Sequence, residues 1–83
     1  MALDVHLQRQ ADEPWGFRLI GGTDFKMPLT VVKILPNSPA ERAGLRNGDT
    51  VSRINSVIAD DLSHDDARHV VSVAGDKLSL GVG

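Results

Sequence analysis

The chain has no cysteine and no tyrosine, and its 83 residues hold only one tryptophan and two phenylalanines. Without cysteine there is neither a disulfide framework nor a thiolate for chemistry, which suits the cytosol. No apolar run approaches about 20 residues and no signal-like apolar stretch opens the chain, so nothing reads as a membrane span or an export signal. Neither charge sign dominates: nine Lys and Arg against eleven Asp and Glu leave a net charge of −2. No run of basic residues is present, which argues against a nucleic-acid surface. This length permits one domain and a modest core, too small to house a buried multi-residue cofactor site. A single domain spanning residues 1–83 is expected, monomeric in isolation, without cofactor or membrane insertion. The chain stops at Gly83 inside an apparent strand, so the domain is expected to be one module of a longer protein.

What the sequence does have is the run Pro14-Trp15-Gly16-Phe17-Arg18-Leu19-Ile20-Gly21-Gly22. Gly16 sits between two aromatic residues and takes positive φ without steric penalty. Such a turn can aim the successive N–H groups of Trp15, Gly16 and Phe17 into one concavity, an anion nest. Pro14 has no N–H, so placing it before the donors loses nothing. A nest beside apolar surface suits a carboxylate attached to an apolar side chain, as at the C-terminus of a peptide.

The remaining elements follow from pattern and punctuation. Leu3, Val5 and Leu7 alternate with polar residues as in a half-buried strand, and Gln10 to Glu13 is a polar connector. Phe17–Ile20 reads as a second strand, ended by Gly21-Gly22; Phe17 and Leu19 share one face, Arg18 and Ile20 the other. Residues 23–28 read as a loop and Leu29–Leu35 as a third strand. In Ser38-Pro39-Ala40-Glu41-Arg42-Ala43-Gly44, Ser38 caps a short helix, Pro39 opens it, Glu41 completes a capping box and Gly44 ends it. Residues 50–54 and 57–59 are short strands joined at Asn55-Ser56. Ser63 caps a second helix running to Ala74, with Asp65 and Asp66 at its positive end and Gly75 closing it. Ala67, Val70 and Ala74 fall on its core stripe; His64, Arg68 and Val71 fall on an adjacent one. Lys77–Val82 is the last strand.

Pro-Trp-Gly-Phe resembles the Gly-Leu-Gly-Phe loop of PDZ domains. The run from Pro36 to Asp49, containing Ser-Pro-Ala, Ala-Gly-Leu and Gly-Asp, is similar to a second PDZ signature that fixes a helix, a turn and their spacing together. With Gly21-Gly22, Asp24-Phe25 and Met27-Pro28-Leu29, the resemblance extends to the PDZ-LIM subfamily and covers nearly the whole chain. Glu13 departs from the glycine common before this loop, and Ser56 from the glycine common after Asn55. The implied fold is mostly β with two helices (α+β), a partly open antiparallel barrel or sandwich capped by the helices.

The resemblance implies a protein-interaction module that binds the free C-terminus of a partner by β-augmentation. Pro14, Trp15, Gly16 and Phe17 form the carboxylate-binding loop, and Phe17, Arg18, Leu19 and Ile20 pair with the added strand. Trp15, Phe17, Leu19 and Val71 line the pocket for the last side chain. His64 selects Ser or Thr two residues before the end, giving a preference for Ser/Thr-x-apolar-COOH. Arg68 either meets an acidic ligand side chain or is simply solvated. Arg9 lies where PDZ-like domains keep a basic residue that supports the carboxylate through water; the other reading is a solvated strand-end charge. Glu13 is expected to point to solvent, away from the nest. Weighing burial against association costs gives an affinity of about 1 µM, near −8 kcal/mol. The PDZ-LIM likeness further implies a cytoplasmic, cytoskeleton-associated scaffold at structures such as muscle Z-discs, with α-actinin as candidate partner.

Catalysis ranks low. Ser63, His64 and Asp65 hold the residue types of a triad, but three consecutive helical residues point about 100° apart and cannot form a relay. His64 and His69 are five apart, not the spacing that puts two metal ligands on one helical face, and no third ligand is evident. The stronger rival is a module for internal motifs or phosphoinositide surfaces, weakened by the scatter of Lys26, Lys33, Arg42, Arg46 and Arg53.

Overall fold

The computed structural model describes residues 3–83. Six strands and two helices follow in the order β1 (Leu3–Gln8), β2 (Arg18–Gly22), β3 (Met27–Val32), α1 (Pro39–Arg42), β4 (Val51–Ile54), β5 (Val57–Ile58), α2 (His64–Ser72) and β6 (Lys77–Val82). The order β1-β6-β4-β5 makes a four-stranded antiparallel sheet, and β2-β3 makes a separate hairpin. A single bridge between Thr30 and Thr50 joins the two. This is the mostly-β, two-helix, partly open antiparallel architecture that the sequence pattern implies.

The alternation in β1 sets its register. Leu7 is buried while His6 and Gln8 are exposed, and β1 pairs along its length with β6, from Leu3 opposite Val82 to Gln8 opposite Lys77. Exposed His6 places Nδ1 2.7 Å from Ser79 Oγ on the outer face. Val31, Ile54, Leu78 and Leu80 are essentially inaccessible and form the centre of the core. Burying each such side chain contributes about 1.5–3 kcal/mol.

Several boundaries differ from the sequence reading, each for a local reason. Phe17 precedes β2, because the loop still holds it. Gly21-Gly22 lie within the end of β2, not beyond it: the strand runs to Gly22 with a bulge between Ile20 and Gly22, and Gly22 pairs with Met27. The expected loop then contains a 3-10 turn, Thr23–Phe25. The third strand begins at Met27 and stops at Val32, because Lys33 takes φ 56° and breaks the extended run. In α1 the Ser38 hydroxyl caps as expected, accepting the Glu41 N–H at 3.2 Å. The return bond of the capping box shifts by one residue: Glu41 Oε1 accepts from the N–H of Asn37 at 3.0 Å, not from that of Ser38. In α2 the Ser63 cap is present, its Oγ accepting the Asp66 N–H at 3.1 Å, and the regular helix stops at Ser72. Ala67 is fully buried, with Val70 and Ala74 half-buried beside it. Asn55 takes φ 53° in the β4–β5 turn, and its side-chain oxygen accepts the Ser79 N–H at 2.9 Å.

Candidate functional site

The turn at Gly16 is built from its carbonyls outward. Trp15 O accepts the Ala40 N–H at 3.0 Å and Gly16 O accepts the Leu35 N–H at 2.8 Å. The two carbonyls are therefore tied to α1 and to the segment leading into it. Gly16 has φ 88°, and a Cβ added there would stand 2.0 Å from Ser38 Cβ. Ser38 cannot yield, since it is buried and its Oγ donates to Leu35 O at 2.7 Å while capping α1. Among the described residues, no backbone carbonyl accepts the N–H of Trp15, Gly16 or Phe17.

These three residues, with Pro14, lie at the start of a groove of about 820 Å³ between β2 and α2. Arg18 and Leu19 line one wall, and His64, Arg68, Val71 and Ser72 the other. Of the site residues predicted from sequence, Ile20 alone falls outside this lining; it is 43% exposed. Leu19 and Trp15 are buried and Phe17 and Val71 half-buried, which leaves an apolar floor beneath the loop. Trp15 therefore belongs both to the core and to the groove. Its indole Nε1 is buried without a hydrogen-bond partner among the described residues.

His64 is positioned from three directions. Its backbone N–H donates to Asp24 Oδ1 at 2.9 Å, and its Nδ1 lies 3.1 Å from Gly21 O. The Phe25 ring packs against it edge-on, with centroids 5.6 Å apart. A carbonyl oxygen only accepts, so Nδ1 carries a proton in this contact, and in the neutral ring Nε2 is then the acceptor. Gly22 makes the approach possible: a Cβ there would come within 2.5 Å of His64 N. The double glycine serves a bulge and a close backbone approach.

Arg9 lines the groove beside the loop and is more than a solvated strand-end charge. Its guanidinium carbon lies 4.3 Å from the Trp15 ring centroid, Nε donates to Gly75 O at 2.8 Å, and Nη1 reaches Glu13 O at 3.4 Å. It joins the loop to the turn after α2. Glu13 turns away from the nest but is not free in solvent. Its Oε1 accepts the Gln10 N–H at 3.1 Å, and both carboxylate oxygens meet Arg42 Nη2 at 3.2 and 3.3 Å. The Gln10 N–H holds the carboxyl below its ordinary pKa; desolvation opposes it, and Arg42 adds further, smaller lowering.

Sequence reasoning missed Lys33, Leu35 and Ser72 in the lining. Lys33 joins Arg9, Arg18 and Arg68, which the sequence reading had already placed at the site, so that four cations face one groove with no carboxylate in its lining among the described residues. No periodicity signals that convergence. Ser63, His64 and Asp65 form no relay, because His64 Nδ1 is engaged with Gly21 O. Among the described residues, no three metal-ligating side chains come together, and no helix is long and apolar enough to cross a membrane.

A glycine turn with unengaged amides, followed by an edge strand facing a helix that opens on histidine, is matched by family comparison: PDZ domain, over residues 4–83. The chain belongs to the PDZ domain family. PDZ domains are protein-interaction modules and not enzymes. The chain is 45% identical over 80 residues to "PDZ and LIM domain protein Zasp" of Drosophila melanogaster, covering 96% of this chain and 4% of that protein. It is 42% identical over 69 residues to human "PDZ and LIM domain protein 7", covering 83% of this chain and 15% of the relative. Against human "LIM domain-binding protein 3" it is 46% identical over 67 residues, covering 81% and 9%. The PDZ domain thus spans only a small part of each of these relatives. Its fold matches the crystal structure of the choanoflagellate (Monosiga brevicollis) Dlg1 PDZ2 with TM-score 0.90 at 24% identity, covering 99% of this chain and 97% of the other.

Proposed function

We propose that this PDZ domain captures the free C-terminus of partner proteins by β-augmentation, the peptide adding as a strand between β2 and α2. The observation that carries this reading is the Gly16 turn. Its carbonyls are tied back to Ala40 and Leu35, while the N–H groups of Trp15, Gly16 and Phe17 have no carbonyl partner at the start of the groove. A terminal carboxylate accepts from such donors, and its charge strengthens each bond. The last side chain then enters the apolar floor of Trp15, Phe17, Leu19 and Val71. An unprotonated Nε2 on His64 accepts from a Ser or Thr hydroxyl two residues earlier, which favours Ser/Thr-x-apolar-COOH. Arg68 faces the same groove and suits an acidic ligand side chain. The likeness to PDZ and LIM domain proteins supports a role in a cytoskeletal scaffold, at Z-disc-like structures, with α-actinin as a candidate partner.

Calorimetric titration with a peptide ending Thr-Ala-Leu, as free carboxylate and as C-terminal amide, tests the reading. Carboxylate binding near 1 µM, about −8 kcal/mol, with the amide at least about tenfold weaker, supports it. Equal binding of the two overturns it. A second reading draws on the four cations lining the groove: an internal acidic motif or a phosphoinositide headgroup occupies it instead. Vesicles of phosphatidylcholine with and without phosphatidylinositol bisphosphate separate the two, since a C-terminal peptide competes only if both use the groove.

A further inference from the structure

His64 is held by the fold at one ring nitrogen and turned to the groove with the other. Nδ1 lies 3.1 Å from Gly21 O. That carbonyl sits in the bulged end of β2, where a Cβ on Gly21 would stand 2.3 Å from Pro28 O. The His64 backbone N–H is tied to Asp24 Oδ1, and Phe25 packs against the ring. A carbonyl only accepts, so Nδ1 keeps its proton in this contact whether the ring is neutral or charged. A second proton therefore goes to Nε2. The contact with the fold survives, and only the side that meets a ligand changes, from an acceptor to a charged donor.

The two states differ in what they admit two residues before the ligand's end. A hydroxyl both donates and accepts, so Ser or Thr suits either state. A carboxylate only accepts. It meets lone pair against lone pair at neutral Nε2, but a charge-assisted bond, about twice as strong as a neutral one, at the protonated nitrogen.

Charges of both signs surround the ring. Asp24 stands in the 3-10 turn, Asp60 and Asp61 in the turn before α2, and Asp65 and Asp66 in the first turn of α2. Arg18 from β2, Arg68 one turn along α2, and Arg9 and Lys33 toward the loop line the same groove. These cations attract any acidic ligand at every pH, so pH dependence is what identifies His64.

We infer that His64 gives the groove a proton-gated second ligand class, Asp-x-apolar-COOH, bound when the imidazole is charged, beside Ser/Thr ligands bound in either state. The inference rests on the carboxylate-anchored reading of the groove.

The experiment titrates Ala-Thr-Ala-Leu, Ala-Asp-Ala-Leu and Ala-Asn-Ala-Leu into the native domain at about pH 5.5 and about pH 8, a span across which histidine ordinarily changes charge while ligand carboxyls stay ionised. Glu13 titrates below 4.5, outside that span. The Asp peptide binds about tenfold tighter at the lower pH, and the Thr and Asn peptides change by less than about threefold. Calorimetry in buffers of different ionisation enthalpy shows proton uptake with the Asp peptide and not with Asn. His64→Gln, with thermal melting confirming its fold, removes the pH dependence of Asp binding. Asp affinity that is independent of pH, or bound without proton uptake, overturns the gate in the native domain alone. A pH dependence that persists in His64→Gln assigns it to another group and overturns the gate as well. If the Thr peptide binds equally as acid and as C-terminal amide at about pH 8, the carboxylate-anchored reading fails, and the gate with it.

Discussion

A Cβ on residue 16 and the Cβ of Ser38 cannot coexist: the added carbon would lie 2.0 Å from the existing one, with Ser38 Oγ at 2.3 Å. The nest therefore depends on α1, since the residue that caps that helix also occupies the space beneath the turn. Gly16→Ala meets this clash and the positive φ together, each costing about 1–3 kcal/mol. Urea denaturation is expected to show a loss of at least about 2 kcal/mol. At temperatures where the variant stays folded, carboxylate-peptide binding falls below detection. A Gly16→Ala domain with native midpoint and native affinity would contradict the turn geometry.

Much of this geometry was legible in the sequence because it is local. Alternation gave β1 and β6, Ser38 and Ser63 announced both helix starts, and Gly16 between aromatics announced the turn. What was illegible depends on residues distant in the chain. Gly21-Gly22 look like a terminator, but their role is set by Met27, Pro28 and the start of α2, which crowd where any side chain would go. Lys33 cannot be recognised as a left-handed residue from its type, so the sequence pattern carries β3 past its end at Val32. The cations of the groove are at positions 9, 18, 33 and 68, and only the fold brings them to one surface. Asp24 meets His64 across a separation of 40 residues.

Arg9 is a clamp between the loop and the turn after α2. Its stacking on Trp15 and its bond to Gly75 O are separable by substitution. Arg9→Ala is expected to lower stability by about 1 kcal/mol and shift the emission of the single tryptophan. Arg9→Lys keeps the charge but not the planar fork, and recovers less than half of the loss. Fluorescence-detected urea unfolding of the three proteins checks this; full recovery by lysine would show that charge alone matters.

Glu13 gives the domain an acid-sensitive connector. Its folded pKa lies below the ordinary 4.5, so its stabilisation is complete above that value and is lost as pH falls through the lowered folded pKa. The difference in melting temperature between the native domain and Glu13→Gln should be constant near neutrality and shrink below pH 4.5. The ion pair with Arg42 lies at the surface, so the effect is small and weakens with added salt. Because Arg42 and the Gln10 N–H hold the carboxylate away from the nest, Glu13→Gln should change peptide affinity by less than about twofold. A tenfold gain would mean that the charge acts on the bound carboxylate.

His64 joins the fold to selectivity through its two ring nitrogens. Nδ1 is committed to Gly21 O, so the neutral ring presents Nε2 as an acceptor to the groove. Nitrogen-15 spectra should show a single tautomer protonated at Nδ1, even without peptide. A Ser or Thr hydroxyl two residues from the ligand's end would then donate to Nε2, a bond that nets about 1 kcal/mol, or roughly fivefold in affinity over alanine. His64→Ala should bring the Thr and Ala peptides to equal affinity while leaving the carboxylate-versus-amide difference intact, because the loop amides do not depend on the imidazole. Persistence of the Thr preference in His64→Ala would move selection to another residue of the wall. Loss of the carboxylate preference in the same variant would mean that the His64 contacts to Gly21 and Asp24 hold the whole groove open, and that loop and helix act as one unit.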